Sequence, residues 1–394
     1  MESIWSVVGL LLCLVTLPGT IELAFLTFSG VLPRRKQSFR RETGQTLNLC
    51  VVVPAHNEGH GIGQCVASLF ACETDGHSVS VVVIADNCTD HTAEQAGMAG
   101  ARVLVRNDEQ RRGKGYALDH AFKTLLPENY DAFLIVDADT DVEGNFVRAT
   151  AELFAQGADA LQCRYLASNP GDSVRSRLMH VAWLAFNILR LRGREYWGLS
   201  VGILGNGFGL SRKTLEQIPF DAGSIAEDLE YHLRLVRAGF HVRFCESTTV
   251  WSDVPAQSKT AAGQRARWEG GRFRMIREQT PGLSAEVVKG KIRLLEPLLE
   301  LLLLPLAFHV FLLLILLAVP TSLAWYSALA GLAVVGLHVA VALYVGKAGW
   351  RDVLALLSAP FYIVWKLTLG RQLIKSASTE ATWVRTERSG HHDD

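Results

Sequence analysis

Two long apolar blocks bracket a region of quite different patterning, and they restrict the chain to architectures that meet a bilayer. Residues 4–32 are apolar apart from Glu22, longer than the ~20 residues a helix needs to cross a ~30 Å hydrocarbon layer. No basic residue precedes this block, and Arg34, Arg35, Lys36, Arg40 and Arg41 follow it. It therefore reads as an anchor rather than a cleaved signal peptide, and the positive-inside rule puts its start outside and the next domain in the cytosol. The second block, 294–345, has Pro320 and Thr321 near its middle and reads as a hairpin of two spans, about 297–319 and 323–345. Arg272, Arg274, Arg277, Lys289, Lys291 and Arg293 before it, and Lys347 and Arg351 after it, hold both ends in the cytosol. A third apolar stretch, 353–374, is interrupted by Pro360, Lys366 and Arg371. It is expected to lie in the interface, leaving Lys375, Arg385 and Arg388 inside.

The 394 residues are 49% hydrophobic and 20% charged, with 39 basic residues balancing 39 acidic ones. Disorder is excluded, and no basic excess points to nucleic acid as a partner. Seven cysteines contain no CxxC pair, which argues against a zinc ribbon or a thioredoxin-type centre. They read as reduced thiols of a cytosolic domain, with Cys13 in the anchor. Between the blocks, short valine-rich runs at 47–55, 79–85, 102–105 and 132–136 alternate with helical patterns at 61–72, 91–100 and 115–126. Such alternation predicts an α/β, doubly wound parallel sheet whose ligand site lies at the carboxyl ends of its strands. Further strands are expected at 159–165 and 241–245, and helices at 173–191 and 228–238.

The loop after the first strand, PAHNEGHGIG, carries glycines 59, 61 and 63 and does not make GxGxxG, so a nicotinamide-type fingerprint is absent. Carboxylates stand at strand ends instead: Asp86 after the second, and Asp137 and Asp139, as DAD, after the fourth. Two acids at i and i+2 suit a hard divalent cation held together with substrate phosphates. Downstream, Ala226, Glu227 and Asp228 open a helical pattern, and Gln264, Arg265, Ala266, Arg267 and Trp268 follow. Each has a plainer reading. Asp228 suits a helix N-terminus through the macrodipole, Trp268 suits a membrane-interface anchor, and Arg267 suits a solvated face. Asn206, Gly207 and Gly209 allow close approach of backbone to a ligand, or make an ordinary turn. His56 and His60 read as loop residues rather than metal ligands.

Taken together, VPAHNE, ADNCTD, GKGYAL, DAD, GNGFGLSR, AED and QRARW, in that order over residues 47–276, resemble the inverting family 2 glycosyltransferases of GT-A fold. The resemblance is to the membrane-embedded branch that contains cellulose, chitin, hyaluronan and poly-N-acetylglucosamine synthases. It implies that Asp86 binds the uracil of a UDP-sugar, with Pro54, Ala55, Asn57 and Glu58 around the nucleotide and Lys114 nearby. It implies Mg2+ or Mn2+ at Asp137 and Asp139, with Asp139 the better ligand, and Gly207 and Glu227 among the substrate-binding residues. Asp228 becomes the general base, Arg267 steadies the leaving diphosphate, Trp268 stacks on an acceptor sugar, and Gln264 holds the acceptor end of the site. The organisation expected is an anchor at 1–33, a basic linker at 34–46, a GT-A domain at 47–280, an amphipathic interface segment at 281–296, a transmembrane hairpin at 297–345, and an interfacial segment with a cytosolic tail at 346–394. Within the tail, TWVRTER at 382–388 resembles that of the synthases. A multi-pass cell-membrane enzyme follows, adding sugar to a growing β-linked polysaccharide, with exopolysaccharide export subunits as partners. The alternatives are a single transfer to a lipid or polyprenyl phosphate and, from another class, a silent nucleotide-sugar-binding subunit. ADNCTD departs from the family in having Asn87 where a second acid often stands.

Overall fold

The structure is a computed structural model that describes residues 2–33, 46–221, 226–254 and 258–368, with side chains from residue 4 and, in the last segment, from residue 268. The basic cluster at 34–41, Arg371, Lys375 and the 382–388 tail lie outside the described residues, as do the side chains of Gln264 and Arg267.

Helix α1 (Glu2–Val31) precedes β1 (Asn48–Ala55), α2 (Ile62–Phe70), β2 (Ser78–Asp86), α3 (Thr92–Met98), β3 (Arg102–Arg106), α4 (Lys114–Leu125), β4 (Ala132–Ile135), β5 (Thr140–Val142), α5 (Phe146–Ala155) and β6 (Ala160–Ala167). Next come α6 (Val174–Leu184), a π-helical turn (Ala185–Leu189), α7 (Arg190–Trp197), β7 (Phe208–Ser211), α8 (Arg212–Gln217), α9 (Glu227–Ala238) and β8 (Val242–Ser252). The rest is helical: α10 (Ser258–Val288), α11 (Leu295–Leu302), α12 (Leu306–Leu317), α13 (Ser322–Val345), α14 (Trp350–Ala355) and α15 (Ala359–Thr368).

One eight-stranded sheet runs β3-β2-β1-β4-β7-β6-β8-β5. Its first four strands are parallel, as the alternation predicts. Both faces are covered. Leu49, Val51 and Val53 pack under Ile62 and Val66 of α2, whereas Cys50 and Val52 pack under Leu118 and Phe122 of α4, which explains an apolar run without alternation. The second half departs from an all-parallel sheet. Strand β7 lies antiparallel between β4 and β6, and β5 antiparallel to β8. Two glycines permit the insertion of β7. Gly207 has φ +65° and a Cβ there would lie 2.5 Å from Val250 Cγ2, while one on Gly209 would lie 2.8 Å from Leu134 Cδ2.

Among the described residues two helices are long and apolar enough to cross a membrane, over Ile4–Val31 and Ser322–Val345. They run side by side in the same direction, since Gly9 packs near Thr321 and Ala324 and Thr27 Oγ1 meets His338 Nδ1 at 2.7 Å. In place of one straight span at 297–319, α11 and α12 meet at a 77° bend. Pro305 offers no N–H and pushes Leu304 towards extended backbone. Arg272 Nη2 then donates to the freed carbonyls of Glu300 and Leu303. In the stretch expected to be interfacial, the described residues form only α14, a 3-10 turn and α15.

The catalytic sheet is joined to the helices by one buried guanidinium. Arg194 of α7, 1% exposed, pairs with Glu22 of α1 and Glu300 of α11, each at 3.3 Å, and with Glu296. Gly193 lets the helices approach, as a Cβ there would lie 2.7 Å from the Leu26 carbonyl. The π-helical turn inserts one residue ahead of α7 and lets Asn187 donate to the Tyr165 carbonyl at 2.7 Å.

The glycine argument is testable by thermal unfolding in detergent. Gly207→Ala is expected to cost about 2–4 kcal/mol, through a positive φ and overpacking together. Gly63→Ala in α2, whose Cβ meets nothing within 4 Å, should be neutral or stabilising by up to ~1 kcal/mol.

Candidate active site

Parallel pairing in register brings Ala55 opposite Ala85, Asp86 opposite Arg106, and Val52 opposite Ile135. The loops that leave β1, β2, β3 and β4 therefore converge on one edge, where an open α/β sheet places its ligand.

At that edge the loops brace one another. Asn57 has φ +55°, a left-handed conformation that asparagine tolerates. Its Oδ1 accepts the Thr89 N–H at 2.8 Å, and His56 Nδ1 donates to the Asp86 carbonyl at 2.7 Å. Asp86 is buried and its Oδ1 lies 2.5 Å from Arg106 Nη1. Arg106 also meets Asp108 Oδ2 at 3.0 Å and the Arg111 carbonyl at 2.8 Å, so one guanidinium positions Asp86 and shapes the loop that leads to Lys114. Asn87 adds to the brace through its Oδ1, which accepts the Asp108 N–H at 2.8 Å.

Lys114, the first residue of α4, reaches across to the other half of the sheet. Its ammonium pairs with Asp137 Oδ1 and donates to the Gly205 carbonyl at 2.5 Å. Burial disfavours its charge, but Asp137, Glu227 and Asp228 outweigh burial and hold its pKa above the ordinary lysine range. The Asp137 N–H donates to Asn206 Oδ1 at 3.0 Å, and Asn206 Nδ2 donates to Thr140 Oγ1 at 2.8 Å, fixing the DAD loop. Gly205 has φ +82°, and a Cβ there would lie 3.2 Å from Asp228 Oδ2.

Asp228 thus faces Gly205 from the first turn of α9. Its Oδ1 accepts the Leu229 N–H at 2.8 Å. Burial raises the Asp228 pKa despite that bond and Lys114, and burial with the Asp228 charge pushes Glu227 up to about 8. One lysine between three carboxylates leaves Glu227 and Asp228 both raised above the ordinary carboxylate range, an arrangement suited to proton transfer.

These groups line one cavity of about 1600 Å³. Pro54, Ala55, Glu58, Asp86, Lys114, Asp137, Asp139, Glu227, Asp228 and Trp268 all reach it. Asn57 and Gly207 do not. Asn57 braces the loop behind it, and Gly207 sits in the sheet, donating to the Ile135 carbonyl at 3.0 Å. Trp268 is 43% exposed on α10, the helix whose backbone carries Gln264 and Arg267. Tyr165, 2.7 Å from Ser252 Oγ, also lines the cavity. Sequence reasoning did not single out Arg106, Tyr165, Gly205 or the Asn206 side chain. Arg106 carries no signal of its own, because RVLVR begins and ends in arginine and the strand is half-buried or exposed up to Arg106.

Among the described residues no cluster of three His, Cys, Asp or Glu side chains could hold a metal ion. The two DAD carboxylates nevertheless fit a hard cation that takes its remaining ligands from diphosphate and water.

The polar end of the cavity continues into an apolar one between helices, lined by Leu304, Leu306, Val310, Val339, Leu356 and Ile363.

The match to known proteins agrees with this geometry. Residues 132–347 match the model of glycosyl transferase family group 2. A probable glycosyltransferase, YdaM of Bacillus subtilis, is 23% identical over 256 residues, 63% of this chain and 59% of the relative. Beta-monoglucosyldiacylglycerol synthase of Synechocystis is 25% identical over 271 residues, 66% of this chain and 56% of the relative. The chain thus spans less than two thirds of the length of either curated relative. The mannosyltransferase PcManGT from Pyrobaculum calidifontis, solved with GDP-Man and Mn2+, shares the GT-A fold at a TM-score of 0.55, with 15% identity over 95% of this chain and 97% of that one.

Arg106→Leu should leave Asp86 as an unpaired buried charge and cost about 3–5 kcal/mol of stability. Adding Asp86→Leu should recover most of that loss in a double-mutant cycle of unfolding free energies, showing that the charge and not the fold was lost.

Proposed function

The chain belongs to glycosyl transferase family group 2, and from that premise we propose that it is an inverting hexosyltransferase, taking sugar from a UDP-sugar to an acceptor held in the membrane. The observation that carries this reading is Asp228 facing the Lys114–Asp137 pair across Gly205, in one cavity that has both a polar and an apolar end.

Asp86 and the 54–58 loop hold the nucleotide, and Lys114 steadies its diphosphate. Asp137 and Asp139 are the residues that would hold Mg2+ or Mn2+. The cation would supply charge neutralisation at the leaving diphosphate, as does Arg267. Asp228 takes the proton of an acceptor hydroxyl while that oxygen attacks the anomeric carbon from the face opposite UDP, whose C–O bond breaks. Trp268 stacks on the sugar at the acceptor side, with Gln264 holding that end of the site.

A polysaccharide is the acceptor that the sequence resemblance favours, but the far end of the cavity favours a lipid. Carbohydrate hydroxyls against Leu304, Val310, Val339 and Ile363 would lose water without gaining partners, whereas alkyl or prenyl chains bury well there. The name of the relative beta-monoglucosyldiacylglycerol synthase also points to glycosylated lipid. The helices form a multi-pass arrangement with the catalytic sheet on the cytosolic side, in keeping with the parallel course of α1 and α13 and with the basic residues beyond the hairpin.

Purified protein incubated with labelled UDP-sugars, Mg2+ or Mn2+ and membrane lipids should place label in the organic-soluble fraction. Label only in a long, glycosidase-sensitive polymer would contradict the lipid reading. Asp228→Asn is expected to cut transfer by about 10²–10⁴-fold and leave UDP binding within about twofold, as judged by calorimetry. The raised Asp228 pKa makes kcat/KM increase with pH along a limb that lies above the ordinary aspartate range. Glu227→Gln removes a negative neighbour, so the Asp228 pKa falls and the rising limb moves to lower pH. A pH–rate profile unchanged by that variant would refute the coupling.

A further inference from the structure

Where the two ends of the cavity meet, its wall carries two guanidinium groups that no carboxylate engages. Arg194 draws Glu22, Glu296 and Glu300 to itself, and Glu269 is taken by Lys366 at 2.5 Å. Arg190, one helical turn before Arg194, is 6% exposed. Among the described residues it makes no hydrogen bond or ion pair. Its Nε is buried without a partner, and its guanidinium lies 5.1 Å from the Phe186 ring centroid. Arg272 spends Nη2 on the Glu300 and Leu303 carbonyls at the α11–α12 bend, and its Nε is likewise buried and unpartnered. Both arginines line the cavity. Burial, offset only in part by Glu22 and Glu300, lowers the Arg190 pKa to about 10, and burial, offset only in part by Glu300, Glu22 and Glu269, lowers that of Arg272. Glu22 and Glu300 act on both guanidiniums from beyond ion-pair distance, so donors on each remain open to an anion in the cavity.

The groups that share the cavity narrow what the anion belongs to. Asp228 and His232 are one turn apart on α9. His232 bonds Ser200 Oγ at 3.0 Å and adds no charge at neutral pH, because burial lowers its pKa to about 4. Glu300, whose charge acts on His232, lines the same cavity as Arg190 and Arg272. The apolar pocket starts at Leu303 and Leu304. A bound acceptor therefore presents a hydroxyl at Asp228, an anion at the arginines, and apolar chain past the bend.

We propose that Arg190 and Arg272 form the phosphate subsite of the acceptor, an amphiphile whose hydroxyl-bearing headgroup is joined to its apolar chain through a phosphodiester or diphosphate. The inference rests on the lipid-acceptor reading above. Forked guanidinium donors match phosphate oxygens better than an ammonium does, and α12, α13 and α15 supply the surface for the chain.

The test is a binding experiment without donor, so that it does not depend on turnover. The full chain in detergent is titrated with phosphatidylglycerol, diacylglycerol and inorganic phosphate, and bound lipid is read by native mass spectrometry. Phosphatidylglycerol is expected to bind at least about tenfold more tightly than diacylglycerol or inorganic phosphate. Arg190→Gln and Arg272→Gln should each remove most of that preference, with UDP affinity within twofold of wild type. Arg190→Lys, which keeps the charge, serves if the Gln variant does not fold, and should retain part of the preference. Equal binding of the two lipids overturns the proposal, as does inorganic phosphate binding as tightly as phosphatidylglycerol. So does a variant that melts lower yet keeps the lipid preference, since the arginine would then serve the buried charge cluster alone. Parallel loss of UDP affinity would move the arginine to the donor site and likewise overturns it. Should the transfer assay yield only polymer while the arginine-dependent lipid preference persists, the acceptor reading fails and the anion subsite stands.

Discussion

The ammonium of Lys114 is the point at which the two halves of this sheet become one site. It enters from the parallel half, at the start of α4, and reaches the DAD loop through Asp137 and the β7 approach through the Gly205 carbonyl. Asp228 then sits against Gly205, because nothing larger than hydrogen separates them. Removing the lysine would leave Asp137, Glu227 and Asp228 close together in a poorly solvated cleft, where like charges cannot all ionise. With the lysine present, its charge offsets part of the burial that raises Glu227 and Asp228.

A second buried cation does the corresponding work between protein and membrane. Arg194 binds carboxylates from α1 and α11 at once, so the sheet is fixed to the helices by charge as well as by the close packing at Gly193. That fixture, together with the bend at Pro305, leaves a cavity with two solvents. One end is walled by aspartates and backbone amides, and the other by leucine and valine. It is this pairing of a polar and an apolar end that the proposed lipid acceptor rests on.

Much of this was legible in the residues. The valine-rich strands, the strand-end acids and the two long apolar helices are strong local patterns whose physics does not depend on distant contacts. What escaped was set by tertiary contact. The glycines of GNGFGLSR suit either close approach of backbone to a ligand or an ordinary turn, and in the fold Gly207 and Gly209 serve the antiparallel insertion of β7 into a sheet expected to be parallel. Mean apolarity hid the break at Pro305, because Leu-rich segments on either side share one hydropathy. Arg106, Arg190 and Arg194 look like polar faces of ordinary elements, and only the folded chain shows that each is buried.

Photolabelling would test the central claim, that one cavity joins a nucleotide-sugar site to a lipid site, most directly. A lipid acceptor carrying a diazirine in its chain, irradiated on the protein in the presence of UDP, is predicted to mark Val310, Val339, Leu356 or Ile363 inside the cavity, with excess unlabelled acceptor suppressing the labelling. Labelling confined to outward-facing residues such as Leu10, Leu14 and Leu323, and insensitive to competitor, would contradict it.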